Sequence, residues 1–201
     1  MSTPALTSPR LIVVSGLPRS GTSMLMAMLA AGGVPVFVDG LRPSDEDNCG
    51  GYFEFEPVKR LRLDQSWLSH AVGRAVKIVV PLVTALPEDV PSDIIFLLRD
   101  LSEILASQSA MLARLGRPVV PESVLRPVFE RDLAIARQTL AARPQTRCLE
   151  LVYPELVQDP TAGTARIGAF LLRPFDQAAA AAVVRPKLYR QRQTASMTLP
   201  I

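Results

Sequence analysis

Short runs of β-branched and aliphatic residues alternate along this chain with longer stretches of helix-forming residues. Leu11-Ile12-Val13-Val14 ends at a glycine-rich turn, as a buried parallel strand does. Thr22 to Ala31 is apolar on nearly every side and built of good helix formers, which predicts a buried helix opening directly from that turn and stopped by Gly32-Gly33. Val34 to Val38 reads as a second strand, and Val76 to Val80, Ile94 to Leu98 and Cys148 to Val152 as further ones. Helices are predicted over Leu101 to Leu115, Glu122 to Ala142, Pro154 to Leu172 and Ala178 to Ala182. Phe55 to Leu68 places Phe55, Val58, Leu61 and Gln65 on one side at helical spacing, and residues 39 to 52 form a polar, turn-rich connection. Alternating strands and helices imply an α/β fold in three layers, a parallel sheet with helices on both faces. Ligands of such folds bind beyond the carboxyl ends of the strands.

Composition narrows the reading. A length of 201 residues with 48% hydrophobic residues and mean hydropathy +0.23 suits one well-buried domain and is short for two. Residues 1 to 9, rich in Ser, Thr and Pro, read as a frayed start, and 185 to 201 as a basic C-terminal segment carrying Arg185, Lys187, Arg190 and Arg192. Lys and Arg number 22 against 19 Asp and Glu, with the arginines scattered, so the charge pattern does not call for nucleic acid. Cys49 and Cys148 are far apart and share no ligand spacing with His70, which predicts neither a disulfide nor a zinc site. The apolar stretch from Leu11 to Val38 is cut by Pro18-Arg19-Ser20-Gly21-Thr22-Ser23, so no membrane span or signal segment is expected, and the protein reads as soluble and cytoplasmic.

The chemistry concentrates in SGLPRSGTS, Ser15 to Ser23. A strand, a glycine turn and a helix start converge backbone N–H groups on one point, with the positive end of the helix dipole behind them. Thr22 and Ser23 add hydroxyls, and the whole is an anion site. Thr22, however, stands where a triphosphate-binding loop requires lysine, and the cation, Arg19, lies earlier in the loop. The stretch LPRSGTS resembles the 5′-phosphosulfate loop of the sulfotransferase family, P-[KR]-x-G-[TS]-[TS]. That resemblance implies a P-loop-like sulfotransferase fold and 3′-phosphoadenosine 5′-phosphosulfate as co-substrate, held at its 5′ end by Pro18, Arg19, Ser20, Gly21, Thr22 and Ser23. A sulfuryl group in flight carries less negative charge than a phosphoryl group, so fixed donors and one or two cations suffice and no metal is expected.

Two further stretches resemble the same family. In IIFLLRDLSEILASQ, Arg99 follows a strand and Ser107 comes eight residues later, similar to the family's 3′-phosphate motif. The alternatives are that Arg99 pairs with Asp100 or Glu103 and that Ser107 is an ordinary helix residue. CLELVYPELVQDPTAGTARIGAFL is similar to the family's late strand, tyrosine, acidic helix and Asp-Pro. The family's basic segment late in the chain implies a role for Arg190 on the 3′-phosphate, with Lys187 as a second candidate, although the family's RKG-type sequence is absent.

The catalytic pattern departs from cytosolic members. Lys77 matches the family's lysine, which implies that it steadies the transferring group, but the histidine position is Val79. Carboxylates serve as the base in family members that share PRSGT, so Asp39 is the first candidate and Glu54 the second. The expected function is sulfuryl transfer to a small-molecule hydroxyl or amine, with Arg19, Lys77 and one of these acids at the reacting centre. The alternatives are a catalytically inactive nucleotide-binding member acting as partner or sensor, and a P-loop small-molecule kinase in which Asp100 holds magnesium. Neither a nucleic-acid nor a membrane partner is expected, and the oligomeric state and the acceptor stay open.

Overall fold

In the computed structural model, residues 9–44 and 50–189 are described. Four strands, β1 (Leu11–Gly16), β2 (Ala75–Lys77), β3 (Ser92–Leu98) and β4 (Thr146–Val152), form one sheet in the order β2-β1-β3-β4. All three pairings are parallel, with Val13 opposite Val76 and Ile94, and Ile94 opposite Cys148. The helices are α1 (Thr22–Ala31), α2 (Leu68–Ala71), α3 (Leu101–Arg114), α4 (Glu122–Ala141), α5 (Tyr153–Gln158), α6 (Pro160–Leu171) and α7 (Gln177–Ala182).

The strands are apolar on both faces because both are covered, as their unbroken hydrophobic runs require. Leu11, Val13, Val76, Ile94 and Phe96 point to one side, where they pack with Leu101 and Ile104 of α3 and Ala136 and Leu140 of α4. Ile12, Val14, Ala75, Ile95 and Leu97 point to the other, against Leu25, Met26 and Leu29 of α1, Ile167 of α6 and Ala180 of α7. Each fully buried aliphatic side chain contributes about 1.5–3 kcal/mol of apolar burial, so these two layers hold the sheet. The expected three-layer α/β architecture is the observed one.

β2 ends at Lys77 rather than Val80, and three further local expectations differ from the structure through proline or turn chemistry. Val34 to Val38 is not a ladder strand: Pro35 has no N–H to donate, and pairing with β2 shrinks to an isolated bridge at Val36, closed by Phe37 N–H to Ala75 O (2.7 Å) and Ala75 N–H to Pro35 O (2.7 Å). The helix expected over 154 to 172 breaks at Asp159, which precedes Pro160, leaves helical geometry (φ −130°, ψ 81°) and caps α6 by accepting from the Ala162 amide. Phe55 to Leu68 folds as a 3-10 turn at Glu56–Arg60 and then a bend in which Asp64 accepts from the Ser66 amide, leaving Gln65 exposed and α2 only four residues long.

A parallel sheet sends every strand toward the same edge. The loop after β1, the end of β2, Arg99 after β3 and Tyr153 after β4 therefore gather at the carboxyl edge.

Candidate active site

The turn between β1 and α1 owes its shape to two glycines. Gly16 has φ +143°, and a Cβ there would lie 2.5 Å from the Leu97 carbonyl oxygen. Gly21, the residue before α1, has φ +103°, and a Cβ would fall 2.5 Å from two ring carbons of Tyr153. Only glycine satisfies both the left-handed backbone and the close approach. Between them Arg19 itself sits at φ 70°, a conformation rarely adopted by a residue with a side chain. The result is a ten-residue helix whose first turn, Thr22 and Ser23, faces an open cleft of about 1340 Å³ together with Pro18, Arg19 and Gly21.

Long-range contacts then join separate stretches of the chain at this cleft. Arg19 Nε donates to Ser107 Oγ at 3.1 Å, and its Nη1 lies 3.8 Å from Met111 sulfur. Arg99 Nη1 donates to the Arg19 carbonyl oxygen (3.0 Å) while its Nε donates to Glu103 (2.9 Å), a pair in which both side chains are buried. The Arg99 guanidinium lies over the rings of Tyr153 (4.8 Å) and Tyr189 (5.1 Å). Tyr189 OH donates to the Glu103 carboxylate, 2.7 and 2.8 Å from its two oxygens.

Lys77 occupies the other side of the loop, on the α1 face of the sheet. Its amino group donates to the Tyr52 carbonyl oxygen, lies 3.4 Å from Ser23 Oγ and pairs with Glu54 at 3.6 Å. Burial pulls its pKa down from the ordinary 10.5 to about 8; the Glu54 carboxylate opposes that shift and Arg42 adds to it. Arg42 also pairs with Glu54 at 2.9 Å and stacks on the Tyr52 ring with its guanidinium carbon 3.3 Å from the centroid. A carboxylate, an ammonium and a hydroxyl thus meet beside the start of α1, on the wall of the same cleft.

No family model matches this sequence, and no curated protein matches it. Solved structures do. The chain is similar to the sulfotransferase domain from the curacin biosynthetic pathway, at 17% identity and TM-score 0.53 over 96% of this chain and 93% of that one. It is similar to the sulfotransferase domain of the Synechococcus PCC 7002 olefin synthase at 16% identity and TM-score 0.55, over 99% and 93%. A mouse sulfotransferase complexed with PAP matches at 16% identity and TM-score 0.53, over 87% of this chain and 62% of that one. The chain has the sulfotransferase fold.

Within that sulfotransferase fold the residues singled out in the sequence fall into three groups. Pro18, Arg19, Gly21, Thr22, Ser23, Lys77, Arg99, Ser107 and Glu54 all line the cleft, as does Val79 at the expected histidine position. Others do not line it. Ser20 is fully buried behind the loop, its amide donating to the Leu17 carbonyl and its hydroxyl without a hydrogen-bond partner among the described residues. Asp39 turns its carboxylate to the amides of Leu41 (3.0 Å) and Glu56 (2.5 Å) and borders, with Phe55 and Pro57, a shallow depression that adjoins the cleft through Leu41, Phe55, Glu56 and Lys59. Burial raises its pKa, but the backbone amides and the nearby Lys59 together outweigh burial and hold the carboxyl below its usual value. Arg190 lies outside the described residues. Asp100 caps α3, accepting from the amides of Ser102 (2.8 Å) and Glu103 (3.1 Å). His70 is exposed on α2 and does not reach the cleft.

Arg42, Tyr52 and Tyr189 reach the cleft or its neighbours without any motif in the sequence to mark them, and Glu103 is marked only as a partner for Arg99. Arg99 stands just before the α3 cap and Glu103 in the first turn of the helix, four residues on, which is the available signal for that pair. Among the described residues no helix is long and apolar enough to cross a membrane, and no cluster of His, Cys, Asp or Glu could hold a metal ion.

Proposed function

We propose that the chain is a sulfotransferase that moves a sulfuryl group from 3′-phosphoadenosine 5′-phosphosulfate to the hydroxyl or amine of a small-molecule acceptor. The observation that carries this reading is the Arg19–Ser107 hydrogen bond. It brings the 5′-phosphosulfate-like loop and the 3′-phosphate-like motif, 88 residues apart in sequence, together on the wall of one cleft. The cradle fits such an anion, because the approach of loop and Tyr153 leaves no room for a Cβ at Gly21 and the surrounding donors are amides, hydroxyls and guanidinium groups.

The chain's residues divide the work. Loop amides with Arg19, Thr22 and Ser23 hold the 5′ end, and Arg99 with Ser107 holds the 3′-phosphate. Lys77, cationic below its pKa of about 8, offsets charge that builds on the oxygens around the sulfur. The acceptor oxygen or nitrogen forms the new bond to sulfur while the bond from sulfur to the 5′-phosphate oxygen breaks, and that oxygen keeps the electron pair. The acceptor's proton goes to Glu54, which lines the cleft 3.6 Å from Lys77 and replaces the absent histidine. Asp39, whose carboxylate is engaged with two backbone amides beside the cleft, is the second candidate.

The kinase alternative needs Asp100 for magnesium, and its use as the α3 cap speaks against that role. Calorimetry tests the choice: adenosine 3′,5′-bisphosphate binds without metal and ATP-magnesium does not compete. Binding of ATP-magnesium in place of the bisphosphate refutes the proposal. An inactive nucleotide-binding role is the outcome if the bisphosphate binds and no acceptor in a broad panel is sulfated.

A further inference from the structure

We infer that Tyr189 is a specificity-determining positioning residue, whose phenol holds the Glu103 carboxylate so that Arg99 can serve the 3′-phosphate; this rests on the bisphosphate reading of the cleft. Arg99 and Glu103 form a buried pair at 2.9 Å in which the side chains are 7% and 4% exposed. A carboxylate so close to the proposed phosphate-binding guanidinium opposes any second anion, because two negative charges in a poorly solvated site compete for the same fork of N–H donors.

The structure contains a counterweight. Tyr189 OH sits within 2.8 Å of both Glu103 oxygens, so the phenol proton is shared by the carboxylate that would otherwise draw more strongly on Arg99. The same tyrosine packs edge-on against Tyr153 at 5.1 Å and 79°, and the Arg99 guanidinium lies over both rings. Arg99 is therefore located by its carboxylate and backbone bonds and by two aromatic faces, and Tyr189 supplies one of those faces together with the hydroxyl. Tyr189 comes from the short 3-10 turn after α7, the far end of the described chain, so the C-terminal segment completes the 3′ subsite. Loss of the hydroxyl increases the pull of Glu103 on Arg99, and that penalty falls only on a ligand that brings a 3′-phosphate.

The test is the pair of affinities for adenosine 3′,5′-bisphosphate and adenosine 5′-monophosphate, measured calorimetrically on the full chain. Tyr189→Phe keeps the ring and removes the hydroxyl. It is expected to weaken the bisphosphate about tenfold and the monophosphate by less than about twofold. In a Glu103→Gln background, where the carboxylate charge is gone, the effect of Tyr189→Phe on the ratio shrinks to less than about twofold. A merely structural role for Tyr189 would move both nucleotides together. Unchanged bisphosphate preference in Tyr189→Phe, or equal loss of both ligands, overturns the inference while the wild-type preference upholds the parent reading. A wild-type protein that does not distinguish the two nucleotides overturns the parent reading and the inference with it. Should Tyr189→Phe lower the melting temperature markedly, Glu103→Gln alone decides: an unchanged bisphosphate-to-monophosphate ratio overturns the proposal, and an altered ratio supports it.

Discussion

The two edges of the sheet use the same kinds of side chain for opposite ends. At the amino edge Asp93, buried on β3, receives Arg147 through two bonds of 2.8 and 2.5 Å and Arg10 through one of 2.5 Å, and Arg10 spans on to the carbonyls of Ser92 and Gln145. Two cations converge on one carboxylate, and the group closes on itself. At the carboxyl edge Arg19, Arg99 and Lys77 are also held by protein groups, yet all three line an open cleft beside the start of α1. Charge that is consumed by the fold lies at one edge, and charge that faces an open cleft lies at the other. The type of residue does not decide between these uses; the direction of the strands and the glycine turn do.

Breaking the closed edge has the largest expected effect on stability and the smallest on binding. Asp93→Asn leaves two guanidinium groups facing a neutral amide over a buried strand and costs about 3 kcal/mol, since the arginines are partly exposed and solvent softens their loss. Denaturant unfolding reads that cost, and the ratio of bisphosphate to monophosphate affinity stays at the wild-type value. Breaking the open edge reverses the pattern. Arg19→Ala lowers the rate of sulfuryl transfer by about 10²–10³-fold, as removal of one preorganised donor does, with a change in unfolding free energy under about 1 kcal/mol. An Arg19→Ala protein that loses stability as heavily as Asp93→Asn would erase the distinction between the two edges.

Two glycines, one at each end of α1, sharpen the contrast. Gly21→Ala places a methyl 2.5 Å from the Tyr153 ring at φ +103°, so the ring must shift, and with it one of the aromatic faces of Arg99. Bisphosphate affinity is expected to fall about tenfold, with roughly 2 kcal/mol lost from stability. Gly33→Ala also has a positive φ, +88°, but its Cβ would meet nothing within 4 Å, so only the backbone strain of about 1 kcal/mol remains and binding is untouched. Equal effects on binding from the two substitutions would show that the close packing of Gly21 on Tyr153 does not shape the anion site.

Much of this arrangement could be read from the residues, for identifiable reasons. Strand-length apolar runs such as Ile94 to Leu98 mark buried parallel strands whatever surrounds them, and the loop from Ser15 to Ser23 joins a strand to a helix by local chemistry alone. Pro35 and Pro160 show the limit of pattern reading: the hydrophobic run and the helical spacing continue through them, while the missing N–H and the restricted preceding residue end the element. The lining of the cleft was legible at Arg19, Arg99 and Lys77, which stand at or just past the carboxyl ends of strands that the pattern marks. It was not legible where a contact depends on tertiary approach. Nothing near Tyr189 in the chain announces that its phenol will reach Glu103 across 86 residues, and Asp39 and Glu54 are equivalent loop acids until the fold turns one to backbone amides and the other to Lys77.

The effect that bears most directly on the open edge concerns pH. Burial lowers the Lys77 pKa from 10.5 to about 8, so the folded protein releases this proton before the unfolded chain does. Between those values the unfolded state binds more protons, and the Lys77 contribution to stability therefore rises with pH from about 8 to 10.5, by at most about 1.4 kcal/mol per pH unit. Activity runs the other way. If the ammonium offsets charge during transfer, kcat/KM falls as pH rises through about 8, the value for the free enzyme. Lys77→Arg keeps the cation at every pH tested and removes the descending limb, whatever its effect on the maximal rate. Glu54→Gln withdraws the carboxylate that props the Lys77 pKa up, so the rise in stability begins at a lower pH. A descending limb that persists in Lys77→Arg would assign the titration to another group and return Lys77 to the class of cations that only hold the fold together.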